Sequence, residues 1–352
     1  MLRIVFYFIW FSNILLMVTK NKSRIISILS FILSFVLFAG NNMNPDYIVY
    51  QWGYNQHTFE GFEFGFKFLS LQAQHLSLDY QGMLMLVQLV SLVLIWICIR
   101  VITSNINAFW AMYFFSQQFI DIIQWRNYFA SVFLLCAVTL LYKNKKFFSL
   151  IFVAIACSFH ITFFVFVPFV LLYNKKAKLK IKNIYIIAFV IITTYIIGYT
   201  INLISNIDIL QNSVQVLGMN NRYQYYGIGT RFGSILPFAI YLIDLYLILW
   251  ISRSEYFLSN NLANIIVKLN VFVGIFTPLL LIDINFYRIF RDINIINFVF
   301  IAYILDKNTV VDKLYIKQLC VVFVMCTLWK LMTLEQGTII FSSIYNNNLW
   351  IK

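Results

Sequence analysis

Eleven apolar runs, separated by short polar or lysine-bearing stretches, decide what this chain can fold into. They extend over about 2–18, 25–40, 83–103, 108–123, 128–142, 147–173, 184–204, 235–251, 262–282, 293–305 and 318–333. Most approach the ~20 residues that an α-helix needs to cross ~30 Å of hydrocarbon. Helices satisfy their own backbone in lipid, so the expected fold is all-α. It is a polytopic integral membrane helical bundle of about 10–12 membrane segments. One transmembrane domain, 1–352, is expected, with outer loops near 41–81, 205–234 and 283–292.

Composition excludes the soluble alternative, because 62% of the residues are hydrophobic, 11% are charged and the mean hydropathy is +0.82. The first run, Leu2 to Val18, reads as a membrane helix rather than a cleaved signal. Arg3 alone precedes it, no small-residue cleavage site follows, and Thr19-Lys20-Asn21-Lys22 reads as a stop-transfer flank. Cys98, Cys136, Cys157, Cys320 and Cys326 lie in apolar runs and are expected to be buried small hydrophobes without disulfides. The net charge of +13 reflects lysines clustered in short loops, which is a topology signal and not a nucleic-acid surface.

Lys20, Lys22 and Arg24 put the first loop in the cytoplasm, and hence the N-terminus and the acidic stretch from Asn41 to Gln81 outside. Counting on, Arg100 falls inside, Arg126 outside, and Lys143, Lys145 and Lys146 inside. The run 147–173 is then anomalous. Its far flank carries Lys175, Lys176, Lys178, Lys180 and Lys182, so both ends favour the cytoplasm. Twenty-seven residues make about 40 Å of helix, too little for two full crossings. A re-entrant hairpin turning near His160 satisfies both flanks. With it, the inside loops hold 13 lysines and three arginines.

Polar residues inside apolar runs point to function. Gln117, Asp121 and Gln124 fall at i, i+4 and i+7, one stripe of a continuous helix, and Arg126 follows them at the outer end. His160 stands at the middle of its run with no charge near it. The basic residues left outside are mostly arginines: Arg3, Arg126, Arg222, Arg231, Arg288 and Arg291. Guanidinium binds phosphate in a bidentate fork, so arginines retained against the topology bias suggest an anionic ligand at the outer face. Salt bridges to Asp121, Asp283 and Asp292 are the structural alternative. The stretch Asn221 to Gly233 adds Tyr223, Tyr225 and Tyr226 to Arg222 and Arg231, a mixture suited to sugar faces and hydroxyls. Asp46, Glu60 and Glu63 are expected to line the outer mouth of the cavity. No DxD sequence and no histidine pair at helical spacing is present, so neither a metal nor another cofactor is expected.

The order of these features resembles the EpsG family of Wzy-type polysaccharide polymerases. The resemblance covers roughly residues 25–305. It rests on Asp46 with Tyr50 four residues later, and on Glu63-Phe64-Gly65-Phe66 with Leu69. Gln124-Trp125-Arg126 with Ala130, the basic turn Lys143-Asn144-Lys145-Lys146, and then Phe159-His160 continue it. Tyr223 to Tyr226 and Tyr287-Arg288-Ile289 look like the family's later outer features. The resemblance implies a glycosyltransferase in the bacterial inner (cytoplasmic) membrane, joining polyprenyl-pyrophosphate-linked oligosaccharides for capsule, exopolysaccharide or O-antigen. A flippase and a chain-length regulator would be its partners. His160, Arg126 and Arg288 would be catalytic; Asp46, Tyr50, Glu60, Glu63, Gln124, Arg222, Tyr223, Tyr226, Arg231 and Arg291 would bind substrate. A transporter or flippase using Asp244 and a membrane-bound O-acyltransferase are the rival classes.

Overall fold

The computed structural model describes residues 1–44, 46–57, 61–175, 181–204, 233–252, 260–307 and 312–351. These form helices α1 Leu2–Val18, α2 Arg24–Ala39, α3 Tyr47–Asn55, α4 Phe64–His75, α5 Tyr80–Ile102, α6 Ile106–Ser116, α7 Gln118–Ile123, α8 Trp125–Tyr142, α9 Lys146–Phe159 and α10 Phe166–Leu172. Then come α11 Ile181–Ile204, α12 Ile235–Ile251, α13 Asn261–Val273, α14 Tyr287–Arg291, α15 Asn294–Lys307 and α16 Lys313–Asn346. Among the described residues, β-pairing is confined to an isolated bridge between Asn41 and Asn348. The chain is a helical membrane protein. Tyr80–Ile102, Trp125–Tyr142, Asn261–Leu281 and Lys313–Leu331 are long and apolar enough to cross a bilayer, and shorter apolar helices accompany them.

The helices are apolar outward and polar inward, the arrangement that lipid selects. On α1, Ile4, Phe8, Phe11 and Leu15 are exposed, whereas Asn13 is fully buried and takes the hydrogen bond of Asn107 at 2.9 Å. Asn13 also donates to Ser30 of α2 at 2.7 Å. Ser27, Ser30 and Ser34 form the buried edge of α2, small residues that let helices approach closely. α6, α8 and α15 are buried around nearly their whole circumference. α1, α2, α15 and α16 pack on α6, and α5 and α9 on α8.

The chain divides into two compact units, Met1–Tyr173 with Asp292–Lys352, and Asn174–Arg291. In the second, Tyr195 stacks on Phe238 at 3.7 Å and bonds Ser234, while Tyr241 donates to the carbonyl of Asn270 at 2.9 Å. Lys268 of α13 donates to the carbonyl of Asn174 at 2.8 Å. α13 gives way to a 3₁₀ segment over Gly274–Leu281 that contains Pro278.

The first unit gathers polar side chains at two ends. At one end Asp306 receives Lys22, Ser104 and Thr103. At the other, Asn41 pairs with Asn348, and Leu349 donates to the Gly40 carbonyl. The run 147–173 folds back on itself. α9 ends at Phe159, His160 is extended (φ −152°, ψ 122°), a 3₁₀ turn covers Ile161–Val165, and α10 returns along α9. Pro168 falls in the first turn of α10, where a missing N–H costs nothing. The return is complete: Lys146, at the start of α9, donates to the carbonyl of Leu171 at 2.6 Å and that of Tyr173 at 3.4 Å. At 14 residues α9 is about 21 Å long, so the tip stops short of a ~30 Å core.

Three expectations need correction. Gln117, Asp121 and Gln124 do not lie on one helix, because the backbone breaks at Gln117 (φ −125°, ψ −32°) and again at Gln124 (φ −95°, ψ 51°). Much of the stretch 41–81 is helical, with α4 packed on α5 and α9. Cys320 is exposed, whereas the other four cysteines are buried as expected.

Candidate functional site

Arg126 is the second residue of α8, just past the break at Gln124, so its side chain leaves the helix at the polar end that carries α3 and α4. The break has a cause in its side chains. Asp121 is buried, accepts the Tyr113 hydroxyl at 3.0 Å and receives a longer contact from Gln117 at 3.4 Å. Gln118 accepts from Ser34, which in turn meets Gln88. Carboxylate and amides are thereby turned into the bundle, as an apolar surrounding requires. The short α7 carries them inward, and α8 restarts at Trp125 with Arg126 meeting Glu63 and Tyr50.

The guanidinium is fixed on several sides. Nη1 pairs with the carboxylate of Glu63, and Nη2 donates to the Tyr50 hydroxyl at 3.0 Å. The rings of Tyr50, Phe62 and Phe66 lie 4.6, 5.3 and 5.8 Å from its central carbon, a cation–π enclosure built by α3 and the start of α4. Behind it, Trp125 lies against Phe66 and Tyr50 and donates to the Tyr80 hydroxyl at 3.1 Å. Arg126 retains 15% side-chain exposure and Glu63 22%, so the pair is open to a ligand. Among the described residues, the buried Nε of Arg126 has no hydrogen-bond partner.

Support from the surrounding helices is extensive. Tyr47 donates to Gln81 at 2.8 Å and Tyr54 to the Leu78 carbonyl at 2.7 Å. Burial, with Asp79 adding to it, holds both phenols above their ordinary pKa, so they stay neutral donors. Gly65 explains how α4 reaches the hairpin. A Cβ on it would stand 2.7 Å from the Ser158 carbonyl oxygen, so only glycine allows this approach. Two residues beyond Ser158, His160 is half-buried with Nδ1 2.7 Å from the Thr162 hydroxyl. Phe159 anchors the tip against Phe129, one turn along α8 from Arg126.

Tyr50, Glu63 and Arg126 are thus joined directly, with the His160 turn against α4. Gln124 supplies the break that opens α8, and Asp46 begins α3 one turn before Tyr50. Arg288 and Arg291 belong to the other compact unit. There Arg291 is buried and donates to Tyr287 at 3.2 Å, and the buried Nε of Arg288 has no hydrogen-bond partner among the described residues. Glu60, Arg222, Tyr223, Tyr225, Tyr226 and Arg231 lie outside the described residues. Asp121, offered by the sequence as a partner for Arg126, is turned inward, and Glu63 takes that place. Phe62 and Phe66, the floor of the enclosure, were not among the expected site residues. Their spacing of four on either side of Glu63 and Gly65 was the available signal.

The model described as the EpsG family matches residues 25–345. No curated protein and no solved structure matches the chain.

Proposed function

The chain belongs to the EpsG family, and from that premise we propose that it is a polysaccharide polymerase. It joins polyprenyl-pyrophosphate-linked oligosaccharide repeat units at the outer face of the bacterial inner membrane. The observation that carries this reading is the caged arginine of α8: a guanidinium oriented by aromatic rings and the Tyr50 hydroxyl, with partial exposure, suits a pyrophosphate headgroup. Its leaving group is already activated. The protein's work is to hold the lipid carrier, neutralise charge developing on the departing pyrophosphate, and accept a proton from the attacking sugar hydroxyl. Arg126 serves the second task. Glu63, paired with it, and His160, on the hairpin tip that α4 rests against, are the candidates for the third task, as base or as hydrogen-bond anchor. Arg222, Arg231, Arg288 and Arg291 are proposed, each by itself, to contact the substrate's anionic group, and Tyr223 and Tyr226 its sugars.

Transport of lipid-linked glycans is the rival reading, favoured by Asp244, which is buried in α12. Reconstitution separates the two. Purified protein in proteoliposomes, given polyprenyl-pyrophosphate-linked repeat units, should convert them to a ladder of longer glycans on the same lipid. Translocation of the units across the bilayer without a ladder would replace the polymerase with a transporter.

A further inference from the structure

We infer that Glu63 is the general base for the attacking sugar hydroxyl, and that Arg126 holds it out of use until the donor's pyrophosphate takes its place on the guanidinium. The inference rests on the polymerase reading and adds to it an order of events and a division of labour.

The arginine does not depend on Glu63 for its position. The Tyr50 hydroxyl holds Nη2, and the rings of Tyr50, Phe62 and Phe66 enclose the cation, all of them neutral groups. The carboxylate is the movable member of the pair. Glu63 is extended (φ −67°, ψ 154°) at the start of α4, makes no capping hydrogen bond to that helix, and is bonded among the described residues to Arg126. It occupies the place that an incoming phosphate oxygen would need. A pyrophosphate carries more charge than a carboxylate and matches the guanidinium fork, so exchange favours the substrate. A carboxylate displaced from its guanidinium has its oxygens free to accept the hydrogen bond of the acceptor's hydroxyl. The base is therefore switched on only where a donor is bound, and an enzyme waiting without donor holds its carboxylate neutralised.

The step balances. The acceptor's hydroxyl oxygen forms a bond to the anomeric carbon of the donor. The bond from that carbon to the pyrophosphate oxygen breaks, and its electron pair leaves with the pyrophosphate beside Arg126. The hydroxyl proton passes to Glu63 and then to water. His160, engaged by Thr162 on the tip that α4 rests against, is left to anchor the acceptor by hydrogen bonding.

Farnesyl pyrophosphate, a short polyprenyl pyrophosphate, is the binding probe for the full-length protein in nanodiscs. Removing the internal competitor in Glu63→Gln should tighten binding about tenfold, while Arg126→Ala weakens it whether or not Glu63 is intact. Polymer formed by Glu63→Gln should fall about a hundredfold or more despite the tighter binding. If Glu63→Gln fails to accumulate, Glu63→Asp is read instead. It shortens the reach to the arginine but keeps a carboxylate, so binding should tighten with much of the activity retained. Equal or weaker binding by the Glu63 variants, with Arg126→Ala still defective, would overturn the exchange and leave the arginine's role standing. Tighter binding with normal polymer would remove the base. Indifference of binding to Arg126→Ala would instead sink the pyrophosphate reading.

Discussion

At the scale of single residues, Arg126 shows why one basic side chain is not equivalent to another. A lysine there would keep the charge but lose the fork that reaches Glu63 and the Tyr50 hydroxyl together. Arg126→Lys is expected to lower polymer formation about a hundredfold at unchanged protein level, the scale of losing one oriented donor to a developing anion. Normal polymer from that variant, measured as lipid-linked ladder, would rule out the phosphate contact. Tyr50→Phe is a finer probe, since it keeps the ring and removes only the hydroxyl. A hydrogen bond to a charged group contributes ~1.5–3 kcal/mol. Turnover should accordingly drop about ten- to a hundredfold while thermal stability barely changes, and a large stability loss with normal turnover would make Tyr50 purely structural. The identities of Arg126, Glu63 and Tyr50 were all legible in the sequence, through an arginine kept outside and a resemblance in motif order. Their pairing was not. Residues 63 and 126 share no helical periodicity, and the motif around Glu63 does not say which basic side chain it meets.

At the scale of elements, apolar run length located most of the helices, because lipid punishes any polar interruption that faces it. The breaks at Gln117 and Gln124 escaped that signal. They occur where α7 is wholly buried, so the polar groups meet partners inside the bundle and hydropathy does not register the change of direction. α3 and α4 were hidden for a different reason: at 9 and 12 residues they are too short to read as spans, and glycines and amides dilute their apolar character. The hairpin was read from charge alone, and its two legs do meet at Lys146 and Tyr173. Two measurements follow. Gly65→Ala forces a Cβ against the Ser158 backbone, which cannot move away as a flexible side chain would. It should cost about 1–3 kcal/mol and separate α4 from the hairpin tip. A lowered melting temperature with reduced polymer is expected, and wild-type behaviour in both would show that the approach is not tight. For the hairpin itself, cysteines replacing Lys143 and Asn174, both exposed, should react with an impermeant reagent from the same face of the membrane. Labelling from opposite faces would make 147–173 a single crossing.

At the scale of the whole molecule, sidedness and function are one question, because a pyrophosphate-linked substrate must meet Arg126 on the face where Arg126 opens. Lysine distribution assigns that face to the outside, and the fold keeps the assignment consistent within the first unit. Lys22, Ser104 and Asp306 gather at one end, and Asn41 and Asn348 at the other. The ion pair at the lysine-rich end is partly exposed and contributes little to stability, ~0–1 kcal/mol, so its value here is as a marker of which loops share a side. Orientation can be tied to activity in one preparation. Replacing exposed Cys320 by serine leaves four buried native thiols, on which single cysteines at Gln56, beside the α3 end of the site, and at Asn21, in the first lysine loop, report opposite faces. In proteoliposomes of mixed orientation, an impermeant thiol reagent should label each site in a complementary fraction of the molecules. When lipid-linked repeat units are added from outside to fractions sorted by that label, ladder formation should follow the fraction whose Gln56→Cys faces outward. Polymer that instead tracked outward-facing Asn21→Cys would place the reacting headgroups at the lysine-rich end, away from Arg126 and Glu63, and the site around that pair would have to be abandoned for one among the cytoplasmic loops.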